Sequence, residues 1–292
     1  MWPTLIKIGP VPLHTYGLMI AIGFLAAVYF IRRDASKAGI NPEILTDAAF
    51  WVLLLGLTGT RLLYIAMYPD QFSWRNPMEW FAIWKGGLVF HGALPPAIAC
   101  VLYMIHKHKL KTWVVADVVS PYIPLGHALG RLGCFLNGCC YGTRTDLPWA
   151  IPFPRIPADP SQTPVGSPAF LDHYYGEGLP RDALWSYPVH PTQLYSVLAL
   201  LTISFLLLLA KNRWKPFTGF TFPLYLMSYG AYRFFVEFVR GDHNPRHLGG
   251  RFTDQQLMCV IMVVAGIVLW VVLSRREKRL SPKSAHSISP LT

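Results

Sequence analysis

Seven runs of this chain are apolar over about twenty residues each, at 14–31, 47–67, 88–105, 113–131, 192–210, 217–238 and 254–273. That is the length a helix needs to cross the hydrocarbon of a bilayer. No water is present there to satisfy backbone N–H and C=O groups, and a helix satisfies them internally. Composition agrees: 53% of the 292 residues are hydrophobic and 14% are charged, and the mean hydropathy of +0.35 is too apolar for an ordinary soluble globule. The expected fold is an all-α integral membrane protein of seven transmembrane helices.

Lys and Arg in short loops favour the cytoplasmic side. One set of loop ends holds Arg32, Arg33 and Lys37, then Lys107, Lys109 and Lys111, then Lys211, Arg213 and Lys215, and finally Arg275, Arg276, Lys278, Arg279 and Lys283. Together these are fourteen of the 26 basic residues, whereas the stretch 132–191 on the other side holds only Arg144, Arg155 and Arg181. The N-terminus is therefore expected outside and the C-terminus in the cytoplasm. The formal net charge of +11 follows from this topology. Nucleic-acid binding would need a basic face on a soluble domain, so no nucleic-acid partner is expected.

The expected organisation is a membrane domain over 1–280, interrupted by an outward-facing head at 132–191, with a disordered cytoplasmic tail at 281–292. Seven prolines between Pro148 and Pro168, with the aromatic patch His173-Tyr174-Tyr175, suit an irregular cap better than helices. The first apolar run ends at Arg32 and Arg33 rather than at a small-residue cleavage site, so no removable signal peptide is expected. The five cysteines, Cys100, Cys134, Cys139, Cys140 and Cys259, are odd in number, and two lie inside apolar runs, which argues against a disulfide framework.

Ionisable groups are costly in a bilayer and are functional candidates by default. On the topology above, six polar features fall at the outer ends of their spans: Tyr16-Gly17, Arg61, His91, the Gly130–Gly142 segment, His190-Pro191, and the trio Tyr229, Arg233 and Glu237. Polar residues scattered by chance would divide between both faces, whereas a shared pocket needs them on one level. Asp117, near the inner end of the fourth span, is the main exception. Each feature also has a structural reading: Tyr16 as part of an aromatic belt, Arg61 as packing beside Gly56 and Gly59, His91 as a cap next to Gly92, and His190-Pro191 as a helix start. Arg233 and Glu237 are four residues apart, so they can pair on one helix face.

Arginines and glycine-exposed backbone amides together suggest an anion, and a phospholipid phosphate is the abundant anion at a membrane surface. The neighbouring Cys139-Cys140 suggests metal or redox chemistry, but no second Cys or His pair stands at a metal-ligand spacing. No metal and no cofactor are expected.

At these residues the chain resembles the bacterial prolipoprotein diacylglyceryl transferases, over almost its whole length. The segment Gly130-Arg131-Leu132-Gly133-Cys134-Phe135-Leu136-Asn137-Gly138-Cys139-Cys140-Tyr141-Gly142 is similar to that family's signature. Flanking blocks match at 13–19, 84–92, 190–195 and 229–238. The chain departs from the pattern in carrying Cys134 where many members have Asn, and Cys139 where they have Glu. The resemblance implies a bacterial inner-membrane enzyme with seven spans and a periplasmic head. Such an enzyme transfers the diacylglyceryl group of phosphatidylglycerol to the lipobox cysteine of a prolipoprotein and releases glycerol phosphate. It implies a catalytic set of His91, Arg131, Arg233 and Tyr16, and phosphatidylglycerol contacts by Arg131, Arg233, Asn137, Gly142, Tyr229 and Glu237.

The reaction needs a thiolate and a stabilised phosphate leaving group. Arginines meet the second need. For the first, His91 is the candidate base, with direct proton transfer to a phosphate oxygen as the alternative. A transporter would reuse buried charges along a path across the membrane, and a non-catalytic lipid or lipoprotein binder would need the same pocket.

Overall fold

The computed structural model describes residues 4–8, 11–72, 80, 87, 89–156, 167–241, 246–247 and 252–280. The tail 281–292, expected to be disordered, lies outside the described residues. A short antiparallel hairpin comes first, β1 (Thr4–Ile8) with β2 (Val11–His14), Ile8 lying opposite Val11. Helices follow in the order α1 (Thr15–Lys37), α2 (Pro42–Met67), α3 (Leu94–Lys107), α4 (Thr112–Val119), α5 (Tyr122–Asn137), α6 (Pro168–Gly176), α7 (Thr192–Arg213) and α8 (Thr221–Val236). A two-residue pair, β3 (Arg246–His247) and β4 (Phe252–Thr253), precedes α9 (Asp254–Leu280).

Four of these helices, α1, α2, α7 and α9, are long and apolar enough to cross a membrane. Their outer faces are lined with large apolar side chains, among them Leu25 (64% exposed), Phe205 (64%) and Ile261 (59%). Faces of this kind are stable only against lipid or another apolar surface. Of the other expected spans, the run at 217–238 holds the sixteen-residue helix α8, and the remaining two are broken. The run at 113–131 is two helices, α4 and α5, because Pro121 and Pro124 have no N–H to add to the helical ladder. The Pro121 carbonyl left at this break accepts a hydrogen bond from Ser204 Oγ of α7 at 2.7 Å. The run at 88–105 starts as a short 3-10 turn, Phe90–Ala93, before α3. The head is less irregular than expected. Pro168 occupies the first turn of the nine-residue helix α6, where a missing N–H costs nothing, so the His173-Tyr174-Tyr175 patch is helical.

The chain forms two compact units, Met1–Ala27 with Val119–Thr292, and Val28–Val118. In the first, α8 packs along α9 and α5 along α7. The head's buried core is Tyr141, Phe153, Ala169 and Val189, with Phe135 from the end of α5 packed against it. Tyr141 Oη donates to Asp172 Oδ2 at 2.7 Å. In the second unit, Asn41 caps α2 by accepting from the Glu43 N–H at 3.0 Å, with Pro42 in the first turn. A cap of this kind stabilises a helix by about 1 kcal/mol.

Candidate active site

The first unit assembles a buried charge network at the end of α8. Arg233 and Glu237 are one helical turn apart, and Arg233 Nη1 donates to Glu237 Oε2. Glu237 Oε1 accepts from the Thr253 hydroxyl at 3.1 Å. Thr253 is held in turn by the start of α9: the Gln256 N–H donates to Thr253 Oγ1 at 3.2 Å, and the Thr253 N–H donates to Gln256 Oε1 at 3.0 Å. This reciprocal pair is a capping box, and it aims the hydroxyl's single proton at the carboxylate. Arg240 Nε lies 3.9 Å from the same carboxylate. Arg233, Glu237, Thr253 and Gln256 are all buried. A charged side chain within a membrane span is costly unless it is paired, and Glu237 supplies that partner for Arg233. Among the described residues, two guanidiniums, those of Arg233 and Arg240, lie around this one carboxylate.

Arg131, half-buried on α5, is oriented by a residue of its own helix. Its Nε–H donates to His127 Nε2 at 3.2 Å. His127 therefore carries its proton on Nδ1 and is neutral in this contact. The His127 ring also packs on Tyr229 of α8, with centroids 5.7 Å apart. Arg131 and Arg233 both act electrostatically on His127 and on Tyr229, and Arg131 also feels Arg240. Three of the residues expected from sequence, Arg131, Tyr229 and Arg233, are thus brought into one electrostatic neighbourhood with Glu237.

Tyr16, at the start of α1 and 40% exposed, is within reach of Arg131 and of the thiols of Cys134, Cys139 and Cys140. These thiols meet because α5 ends in a Schellman turn. Gly138 adopts φ 76°, its N–H donates to Phe135 O at 3.2 Å, and the Cys139 N–H donates to Cys134 O at 3.1 Å. Asn137 is the last residue of α5, directly before the Gly138 turn. Gly142 lies where three backbone strands converge: its N–H donates to His190 O at 2.9 Å, and the Thr143 N–H donates to Val239 O at 2.9 Å. A Cβ at Gly142 would stand 2.5 Å from His190 Cβ and 2.6 Å from Val239 O, so close packing alone demands glycine there.

His91 and Arg61 belong to the second unit. His91 stands exposed in the 3-10 turn ahead of α3. Arg61 is buried and holds backbone, donating from Nε to Trp80 O and from Nη1 to Gly87 O, both at 3.0 Å, with its guanidinium over the Phe72 ring. These contacts are those of a structural clamp.

Sequence reasoning missed His127, Thr253, Gln256 and Arg240. Two of these carried a signal: His127 precedes Arg131 by four residues on one helix face, and Thr253-x-x-Gln256 has the capping-box spacing. It also undercounted the thiols, pairing Cys139 only with Cys140, where the Schellman turn adds Cys134.

These features define a helical membrane protein with a buried cationic site held by hydrogen bonds. The family described as prolipoprotein diacylglyceryl transferase matches residues 3–272, and the chain belongs to that family. It is 34% identical over 278 residues to the phosphatidylglycerol–prolipoprotein diacylglyceryl transferase of Geobacter sulfurreducens, covering 94% of this chain and 96% of the relative. It is 36% identical to the protein of the same name from Bordetella parapertussis, at 95% and 97% coverage. With the Pectobacterium atrosepticum protein it shares 33% identity, at 94% coverage of each.

Proposed function

We propose that this chain transfers the diacylglyceryl group of phosphatidylglycerol to the lipobox cysteine thiol of prolipoproteins. The thiol sulfur attacks the glycerol carbon that carries the phosphate ester, and a thioether forms. The C–O bond breaks, and its electron pair leaves with glycerol phosphate. Arg131 and Arg233 bind the phosphate and stabilise the charge that grows on it. Donors held in advance of the reaction, in a site poor in water, contribute several kcal/mol to such a step. The observation that carries this reading is that each of the two arginines has its own orienting partner, His127 and Glu237, while both act on the same His127 and Tyr229.

Asn137, Gly142, Tyr229 and Glu237 complete the lipid's surroundings in this reading, Tyr16 belongs to the catalytic set with the two arginines, and His91 takes the thiol's proton. The reading includes seven spans, counting the broken runs at 88–105 and 113–131 and the shorter helix within 217–238 as crossings. The N-terminus and the 132–191 head then face the periplasm of a bacterial inner membrane, and the tail lies in the cytoplasm. Purified protein incubated with phosphatidylglycerol and a lipobox peptide is expected to add one diacylglyceryl mass to the peptide by mass spectrometry. No mass gain under conditions in which one of the named relatives works would overturn the reading.

A further inference from the structure

The proposed chemistry makes no use of Cys134, Cys139 and Cys140. Their three sulfur atoms lie within 4.8 Å of one another, and the Cys139 thiol donates to the Cys134 carbonyl at 3.7 Å. Sulfur ligands about 2.3 Å from one ion stand somewhat under 4 Å apart, so side-chain rotations of a few tenths of an ångström would close the ring. We propose that these three cysteines form a trithiolate site for a single soft d10 metal ion of the Cu(I) class.

Two features of the backbone support a built site. The carbonyls of Cys139 and Cys140 are each held from the first turn of α7, by Gln193 Nε2 at 2.8 Å and Thr192 Oγ1 at 2.7 Å. Both peptides are therefore fixed in orientation. Cys140 also has φ 59°, a left-handed conformation that costs a non-glycine residue on the order of 1 kcal/mol. Together with the left-handed Gly138, it turns two successive residues so that both thiols come back to Cys134 on the preceding helix. An extended backbone would point them to opposite sides.

The ligand set selects the ion. Thiolate sulfur is soft and favours Cu(I) and Zn(II) over hard cations. A structural Zn(II) site closes with four protein ligands. Among the described residues, the group at this position offers three, which is the coordination number that Cu(I) accepts as a trigonal complex.

Full-length protein, purified in detergent under anaerobic reducing conditions, would be titrated with Cu(I) supplied as its bicinchoninate complex. The expected result is one Cu(I) withdrawn per chain, with X-ray absorption showing three sulfur neighbours. Cys134→Ser, Cys139→Ser and Cys140→Ser, each checked for folding by its thermal transition, should each weaken binding by at least about 100-fold, the upper end of what losing an outer-shell partner costs. Cys100→Ser, remote in sequence from the cluster, should bind as the parent does. The proposal is overturned if the parent withdraws no Cu(I), if fewer than three sulfurs surround the ion, or if the folded serine variants bind like the parent. It is also overturned if a Cys134–Cys139 disulfide forms in place of a metal complex.

Discussion

The hydroxyl of Thr253 donates to Glu237 Oε1 at 3.1 Å while Thr253 Oγ1 itself accepts the Gln256 N–H at 3.2 Å. A helix cap thereby becomes the support of a buried carboxylate. Glu237 in turn positions Arg233, so the start of α9 acts on the proposed phosphate site through two hydrogen bonds. Thr253→Val removes both bonds. We expect a stability loss of about 1 kcal/mol from the cap and a fall in transfer rate of about tenfold, worth 1.4 kcal/mol. Thr253→Ser keeps the hydroxyl and should retain both. Equal rates in the Val and Ser variants would break the link between cap and site.

His127→Phe keeps a ring against Tyr229 but takes away the acceptor for Arg131 Nε. The guanidinium is then free to swing, and the transfer rate should fall by about 10-fold to 100-fold, as for lost support of a positioned group. His127→Gln, which offers an acceptor oxygen, should recover part of the loss. Initial rates at varied phosphatidylglycerol measure this, with the parent's thermal transition as the control.

Arg131→Ala and Arg233→Ala are each expected to lower turnover by about 10²–10³-fold, the magnitude for removing one donor from a developing negative charge. Arg61→Lys should behave differently. It loses donors to Trp80 O and Gly87 O, which costs stability on the order of 1–3 kcal/mol. The rate per folded molecule should stay close to that of the parent. A parallel loss of rate in all three variants would remove the distinction between phosphate clamp and structural clamp.

The head should loosen in acid. Burial pulls the His173 pKa below its ordinary 6.5, against the opposing pull of Glu177, and its Nδ1 accepts the Tyr187 N–H at 3.2 Å. The folded head therefore favours the neutral ring, and the unfolded chain binds more protons in the window just below pH 6.5. Stability should be fully present above that value and fall as pH drops through it. Protection factors of amides at 167–190, the intrinsic exchange rate at each pH divided by the observed rate, should fall between pH 7.5 and 5.5 in the parent. The fall should be smaller in His173→Asn, which does not titrate.

The apolar runs at 14–31, 47–67, 192–210 and 254–273 were legible from composition and correspond to α1, α2, α7 and α9. The interruption at Pro121 was not, because a proline within an apolar run is tolerated when a neighbour satisfies the freed carbonyl, and Ser204 stands 83 positions away. The pair Arg233 and Glu237 could be read from their spacing, since four residues bring side chains together on any helix. Thr253 could not be joined to them, because it stands sixteen positions beyond Glu237 and outside the helix that carries the pair.

Hydropathy and charge were enough to specify a helical membrane protein, and the segment 130–142 was enough to point to the family. These properties sum over many residues and survive small errors of position. Which side chain orients which arginine was decided by the packing of α8 on α9 and the turn that ends α5. A hydrogen bond is lost over a shift of less than 1 Å, and only the assembled helices determine positions that closely.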